Sequence, residues 1–127
     1  MLEGYAMTAL GKQCWMMGVA VKGDMSVESA ERVVNAVISA IGMTKIYESK
    51  TWTYDGNLGL IYAQPLYESI VTADFWPRHR GGYLVVTSCR EYDPRDVIRA
   101  AKESGYSVIS KTPLCMMSID DDTNLQN

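Results

Sequence analysis

The residues best suited to chemistry lie in one short stretch between two prolines, Pro65 and Pro77. A carboxylate and a hydroxyl are adjacent there, in Glu68-Ser69, and a second carboxylate follows at Asp74. A glutamate in a pocket can bind a cation or an amino group. An aspartate can take a proton, although its unperturbed pKa of about 3.9 makes it a poor acid at neutral pH. The competing interpretation is structural, because glutamates and serines on strands usually face solvent.

A thiol and a basic segment are the next candidates along the chain. Cys89 ends an apolar run, where a cysteine often serves only as a small hydrophobic residue. Arg78-His79-Arg80 follows Pro77 and can either contact a carboxylate or form a solvated loop. His79 is the only histidine in the sequence, so a mechanism that needs two histidines in one chain cannot operate unchanged.

Hydrophobic periodicity predicts the elements that position these residues. Between Leu66 and Pro77 the pattern alternates with a period of two, which predicts a strand. One side of this strand carries Tyr67, Ser69, Val71 and Ala73, and the other carries Glu68, Ile70, Thr72 and Asp74. The proline at each end agrees with this prediction, because proline interrupts the hydrogen-bond ladder of a sheet.

Two helices are predicted from their caps and their apolar faces. Ser26 is a suitable N-cap, apolar residues recur at three- and four-residue steps, and Gly42 is a suitable stop. The first helix is therefore expected over residues 26–42. Asp93-Pro94 begins the second helix, which is expected over residues 94–104.

The remaining segments are typical of strands, and Asp55-Gly56 gives a strong hairpin signal. The predicted strands span residues 13–21, 45–54, 58–63, 66–77, 83–89 and 106–110. The predicted fold is α/β (α+β): a two-layer sandwich with one mainly antiparallel sheet over residues 13–111 and both helices on one face. The other face would expose tryptophan and tyrosine side chains, which predicts self-association into a homo-oligomer.

Length and composition indicate one globular domain. The 127 residues are expected to form a core over residues 12–111, with a loose start over residues 1–10 and a polar tail over residues 118–127. The formal charge of −3 argues against a nucleic-acid partner. No apolar run is long enough to cross a membrane, and the start lacks the features of a signal peptide. Three cysteines without metal-ligand spacing, Cys14, Cys89 and Cys115, predict no metal site and a reduced, cytoplasmic location.

Several short motifs, in their order and spacing, resemble the bacterial S-adenosylmethionine decarboxylase family. Members of that family carry a Glu-Ser-His run, then His-Thr-Trp-Pro-Glu, and then a Thr-Cys-Gly run before an Asp-Pro and a helix. The matching elements here, within residues 12–110, are Glu68-Ser69, Trp76-Pro77, Cys89 and Asp93-Pro94. Ile70 and Asp74 stand where the family has its two histidines.

The resemblance implies that Ser69 is the precursor of a covalent pyruvoyl group. In the family the serine hydroxyl attacks the preceding carbonyl, here that of Glu68, and the resulting ester eliminates and hydrolyses, which cuts the chain. The pyruvoyl group accepts electrons while carbon dioxide leaves S-adenosylmethionine, a step of polyamine and spermidine biosynthesis. By the same resemblance, Cys89 would protonate the decarboxylated carbon and Asp74 would substitute for a processing histidine.

The resemblance also implies a substrate site near Glu68, Ser69 and Cys89, on one face of two adjacent strands. Aromatic rings there can stack on adenine or contact a sulfonium. The candidate substrate-binding residues are Glu68, Tyr67, Phe75 and Trp76.

The absence of both family histidines predicts little spontaneous cleavage, with the intact chain dominating. Two further functions therefore remain open. One is an unprocessed S-adenosylmethionine lyase of the phage type, which would orient the substrate's own carboxylate and release methylthioadenosine and homoserine lactone. The other is a non-catalytic regulatory paralogue.

Overall fold

A computed structural model describes residues 10–119, in which the chain forms seven strands and two α-helices. The strands are β1 (Gln13–Lys22), β2 (Lys50–Tyr54), β3 (Gly59–Pro65), β4 (Ser69–Trp76), β5 (Gly81–Ser88), β6 (Ser107–Lys111) and β7 (Cys115–Ser118). The helices are α1 (Val27–Ala40) and α2 (Pro94–Glu103), and a short 3-10 turn covers Pro77–His79.

All seven strands belong to one antiparallel sheet. Its order is β2-β3-β4-β5-β1-β6, and β7 pairs with the first half of β1. The longest ladders join β5 to its two neighbours. On one side, β4 pairs with β5 from Ser69 opposite Ser88 to Trp76 opposite Gly81. On the other side, β1 pairs with the same residues of β5, from Trp15 opposite Ser88 to Lys22 opposite Gly81. This arrangement confirms the predicted α+β fold.

The two helices form where their capping residues predict them. The side chains of Ser26 and Asp93 each accept a backbone N–H from the first helical turn. α1 ends two residues earlier than predicted, with Ile41 as its C-cap, and Gly42 turns the chain at a φ of 68°. Glycine adopts this left-handed conformation readily because it has no Cβ.

Both helices cover the same face of the sheet, as predicted. α1 packs on β3 and β4, and α2 packs on β1 and β6. Between the layers the side chains of Val33, Val37 and Leu84 are fully buried. We call the sheet face that carries neither helix the open face. On β4, Val71, Ala73 and Phe75 point to the helices, whereas the half-buried Ile70, Thr72, Asp74 and Trp76 belong to the open face.

The predicted strand over residues 66–77 is wrong at its beginning, because β4 starts at Ser69. The Leu66 N–H donates to the Ser69 carbonyl oxygen at 2.8 Å, which closes a tight turn around Tyr67 and Glu68. The polar–apolar alternation continues through this turn, so periodicity did not reveal it.

Two other differences concern short segments. β2 begins at Lys50 rather than at residue 45, and Lys45 makes only an isolated bridge to Leu66. β7 was not predicted, because four residues carry little periodic signal. Most of the predicted loose start and polar tail lies outside the described residues. Across residues 10–119, no helix has the length and apolar character needed to span a membrane.

Candidate active site

The Glu68-Ser69 peptide lies in the tight hairpin turn between β3 and β4. Besides the Leu66–Ser69 hydrogen bond, the turn is anchored from outside, because the Tyr67 N–H donates to the Thr44 carbonyl oxygen at 3.0 Å. A turn at the end of the sheet leaves Ser69 exposed, although Val71, Ala73 and Phe75 further along β4 are buried. The sequence therefore places its candidate nucleophile at an accessible position.

Glu68 is held at both its carbonyl and its side chain. The carbonyl oxygen accepts the backbone N–H of Cys89, the residue that follows β5, at 2.8 Å. The side-chain Oε1 accepts the Thr44 N–H at 3.0 Å, and the residue is only 3% exposed. In this arrangement the Glu68 carboxylate fixes the loop after α1 instead of facing a substrate.

The Ser69 hydroxyl belongs to a short chain of hydroxyl groups. Its Oγ lies 2.7 Å from Thr87 Oγ1, and Thr87 donates its own hydroxyl hydrogen to the Ile70 carbonyl oxygen at 3.2 Å. A hydroxyl has one hydrogen to donate, so Ser69 is the donor in the Ser69–Thr87 bond. This bond orients Ser69 Oγ, but a threonine hydroxyl is not a general base.

Cys89 completes the group of predicted residues that the fold brings together. Its backbone contacts Glu68, which precedes Ser69, and its thiol is free and half-buried. The structure therefore places the Cys89 backbone against Glu68, the residue before Ser69, and the placement of all three side chains on one face stays a prediction.

Asp74 lies apart from this group. It pairs with Ile61 of β3 and Tyr83 of β5 on the open face. It is five positions along β4 from Ser69, which corresponds to about 17 Å along an extended strand. Among the described residues, its buried Oδ1 atom has no hydrogen-bond partner, and burial raises the pKa of the Asp74 carboxyl. Within one chain, Asp74 cannot reach the Ser69 hydroxyl.

The three aromatic candidates have three different environments. Phe75 is fully buried under the helices, where its ring centroid is 5.8 Å from that of Tyr106, so it is a core residue rather than a substrate contact. Trp76 lies on the open face at the far end of β4, in an edge contact with Tyr54 at 6.3 Å. Tyr67 is 42% exposed and adjoins the Glu68-Ser69 peptide.

Sequence reasoning missed Thr87 and Thr44, which hold the turn. Threonines are common in strands and loops, so neither carries a local signal. The register between β4 and β5, in which Ile70 is opposite Thr87, would have placed Thr87 beside Ser69.

Two of the larger clefts in the described part of the chain lie away from the turn. A cleft of about 460 Å³ at the beginning of α1 is lined by residues that include Ser26 and Arg80. A second, of about 520 Å³, lies on the open face beside Trp76, His79 and Tyr83. Residues 10–119 contain no cluster of three or more acidic, histidine or cysteine side chains able to hold a metal ion.

Comparison with known proteins agrees with this geometry. The sequence model of the S-adenosylmethionine decarboxylase family matches residues 19–105, which is more than half of the chain. The chain belongs to the S-adenosylmethionine decarboxylase family. The motif resemblance to this family is thereby confirmed.

A solved structure supports the same fold. The crystal structure of the adenosylmethionine decarboxylase from Aquifex aeolicus superposes with a TM-score of 0.63 at 19% identity, covering 87% of this chain and 93% of that chain. At this identity the likeness establishes the fold alone. The search of curated proteins returned no match.

Proposed function

We propose that this member of the S-adenosylmethionine decarboxylase family decarboxylates S-adenosylmethionine with a pyruvoyl group that arises from Ser69. The observation that carries the proposal is the 2.8 Å hydrogen bond from the Cys89 N–H to the Glu68 carbonyl oxygen. That carbonyl belongs to the peptide bond that must break. An exposed serine hydroxyl follows it directly, so the residues present fit the first step toward the group, the attack of Ser69 on the Glu68 carbonyl.

The first step is an acyl shift within the chain. Ser69 Oγ attacks the Glu68 carbonyl carbon, the carbon–nitrogen bond breaks, and an ester and a free Ser69 amine result. Negative charge develops on the Glu68 carbonyl oxygen during the attack, and the Cys89 N–H already points at that oxygen. One such preorganised donor stabilises a transition state by about 3 kcal/mol in other acyl transfers. The proton that Ser69 Oγ loses ends on the Ser69 nitrogen as the carbon–nitrogen bond breaks, and Thr87, which accepts the Ser69 hydroxyl in a hydrogen bond, orients that hydroxyl for the attack.

The second step is expected to be slow. Elimination of the ester removes the Ser69 α-proton and releases the Glu68 carboxylate, and water then converts the dehydroalanine to the pyruvoyl group and ammonia. A base near the α-carbon is needed. Thr87 is a hydroxyl, and Asp74 of the same chain is about 17 Å away along β4. The intact chain should therefore dominate in freshly purified protein.

Once formed, the pyruvoyl group would supply an electron-accepting carbonyl for decarboxylation. Cys89 adjoins the position of this group, so its thiol is the candidate to donate a proton to the product. Tyr67, exposed beside the turn, is the best placed of the candidate substrate contacts. A cytoplasmic location and a role in polyamine biosynthesis are part of the proposal and rest on family membership.

Self-association through the open face is also part of the proposal. Trp52 and Tyr83, which is opposite Asp74, are each about half exposed, at 49% and 51%. Such a face favours a second copy as its cover. Light scattering at micromolar concentration should give the mass of two chains. The variant Val85→Glu, which puts a charge on the open face, should have the mass of one chain. The control Thr51→Glu, at an exposed position of the edge strand β2, should keep the mass of two chains. A wild-type mass of one chain would contradict this part.

An assay of reaction products tests the proposed activity. Protein incubated with carboxyl-labelled S-adenosylmethionine should release labelled carbon dioxide in proportion to the fraction of chain cut at Glu68–Ser69. Ser69→Ala should release none, and Ser110→Ala, a control at another strand serine, should behave as wild type. Carbon dioxide release from Ser69→Ala would overturn the proposal.

One observation favours the lyase as the second candidate. The Ser69 hydroxyl is paired with Thr87 and not with a base, which favours an uncut chain. In that case Ser69→Ala would still convert S-adenosylmethionine to methylthioadenosine and homoserine lactone. Substrate binding without either product would instead indicate the non-catalytic regulator.

A further inference from the structure

Two cysteines far apart in sequence lie next to the last pair of the ladder that joins β1 to β5. The last pair of the β1–β5 ladder is Trp15 with Ser88. In an antiparallel ladder one step on one strand corresponds to one step back on the other. Extended by one step beyond the end of β5, this register sets Cys14 opposite Cys89, at the end of the sheet that carries the Ser69 turn.

The hydrogen-bond pattern identifies the type of this pair. The Cys89 N–H points to the opposite neighbour, β4, where it donates to Glu68. On β1 the amides of even-numbered residues point away from β5, as the Gly18 N–H shows by donating to the Thr112 side chain. Cys14 and Cys89 are therefore a non-hydrogen-bonded pair.

Such a pair has the dimensions of a disulfide. The Cα atoms of non-hydrogen-bonded cross-strand residues are about 4.5 Å apart, and disulfides join Cα atoms that are about 4.4 to 6.8 Å apart. Alternation along β1 puts Cys14 on the open face, and alternation from Thr87 puts Cys89 on the same face. Both thiols are free and half-buried.

We propose that Cys14 and Cys89 form a reversible disulfide that responds to small-molecule disulfides. A thiolate of either cysteine attacks oxidised glutathione, which forms a protein–glutathione disulfide and releases one reduced glutathione. The thiolate of the other cysteine then attacks the protein sulfur and releases the second glutathione. The protein loses two hydrogens, and the glutathione disulfide gains them.

The consequence for activity rests on the proposed function. Oxidation ties up the Cys89 sulfur, so the candidate proton donor is lost while the disulfide persists. The bond joins β1 to the residue whose amide holds the Glu68 carbonyl. Thiol reduction would restore the donor, so the pair would regulate the same site.

The third cysteine provides a matched control. Cys115 of β7 is opposite Met16, which places it diagonally from Cys14 on the same face. Diagonal Cα atoms are about 7 to 8 Å apart, beyond the usual disulfide range. Cys115 is also the exposed cysteine of the three, so accessibility alone would favour it over Cys89.

Peptide mapping tests the proposal without any assay of activity. Native protein is incubated with oxidised glutathione, its remaining thiols are alkylated, and trypsin digestion is followed by non-reducing mass spectrometry. The three cysteines fall in separate tryptic peptides, 13–22, 81–90 and 112–127. Cleavage at Glu68–Ser69 leaves all three unchanged, so the map does not depend on processing.

The link between peptides 13–22 and 81–90 should dominate, with either link to peptide 112–127 below about one-tenth of it. Denatured protein should give all three links in comparable amounts. Cys115→Ser should keep the native link, and Cys14→Ser should replace it with a glutathione adduct. Dominant links to Cys115, or glutathione adducts alone on native wild-type protein, would overturn the proposal. A native link in protein that still decarboxylates would uphold the disulfide and refute only the role of Cys89 as proton donor.

Discussion

The beginning and the middle of β4 differ in how their polar groups are satisfied. At the beginning, the Glu68 carbonyl, the Glu68 carboxylate and the Ser69 hydroxyl each have a defined partner. In the middle, Asp74 has a buried oxygen without a partner among the described residues. The first region is preorganised within one chain. The second carries a carboxylate whose environment disfavours its charge.

The two regions differ in which polar groups find a hydrogen-bond partner within one chain. Local backbone geometry positions the peptide bond at Glu68–Ser69, because a turn and the end of β5 meet there. Within residues 10–119 the buried Oδ1 atom of Asp74 has no hydrogen-bond partner, and burial raises the pKa of this carboxyl. Three substitutions test this contrast between the two regions.

The largest effect is expected from Glu68→Ala. It leaves the Thr44 N–H without its acceptor and opens a cavity, which should lower the free energy of unfolding by about 2–3 kcal/mol. Urea denaturation monitored by tryptophan fluorescence measures this change. Glu68→Gln retains an acceptor oxygen of similar shape and should lose clearly less. Equal losses for the two variants would show that the Thr44 hydrogen bond does not hold the turn.

A smaller effect is expected from Thr87→Val, which has nearly the same shape but no hydroxyl. Ser69 loses the acceptor that orients it, so its reaction with the Glu68 carbonyl should slow by about five- to tenfold, the equivalent of one hydrogen bond of about 1 kcal/mol. Thr87→Ser keeps the hydroxyl and should react at nearly the wild-type rate. Both rates can be measured by trapping the ester with hydroxylamine. An unchanged rate for Thr87→Val would contradict the assignment of Thr87.

The smallest effect is expected from Asp74→Asn, and it depends on pH. Burial raises the pKa of the Asp74 carboxyl in the folded state. The contribution of this group to the stability of the folded protein is therefore fully present below the unfolded-state pKa, and it is lost as the pH rises through the folded-state pKa. Asp74→Asn should therefore be more stable than wild type at about pH 7, by at most about 1 kcal/mol after allowance for solvent screening.

The advantage of Asp74→Asn should shrink toward about pH 3, where the carboxyl is protonated in both states. Chemical denaturation at the two pH values measures it. Asp96→Asn is a suitable control, since Asp96 forms an exposed ion pair with Arg99 at 2.8 Å. A wild type more stable than Asp74→Asn at neutral pH would mean that Asp74 has a stabilising partner.

Much of this fold could be predicted from sequence because its signals are local. Ser26 and Asp93 mark the helix starts through their caps, and Asp55-Gly56 marks the hairpin between β2 and β3. Alternation also predicts the two sides of β4, and it groups Phe75 with Val71 and Ala73. The same rule puts Phe75 and the adjacent Trp76, both candidate substrate contacts, on opposite sides of the strand.

The parts that sequence could not predict depend on register. The contact between the Cys89 N–H and the Glu68 carbonyl requires the alignment of β4 with β5, which no local pattern contains. The same is true of Thr87 beside Ser69 and of Cys14 opposite Cys89. The tight turn at Tyr67 and Glu68 was missed because it lacks the glycine or asparagine that usually marks a hairpin.

Trapping the ester tests the central claim most directly, because it separates the acyl shift from the later elimination. Wild-type protein is incubated at neutral pH with and without hydroxylamine, and intact masses are recorded over time. Without hydroxylamine the intact chain should dominate. With it, two fragments, residues 1–68 as a hydroxamate and residues 69–127 with a free serine amine, should accumulate. Ser69→Ala should stay intact under both conditions. If wild type also stays intact with hydroxylamine, the Glu68 carbonyl is not activated for attack by Ser69, and the account of this site is wrong.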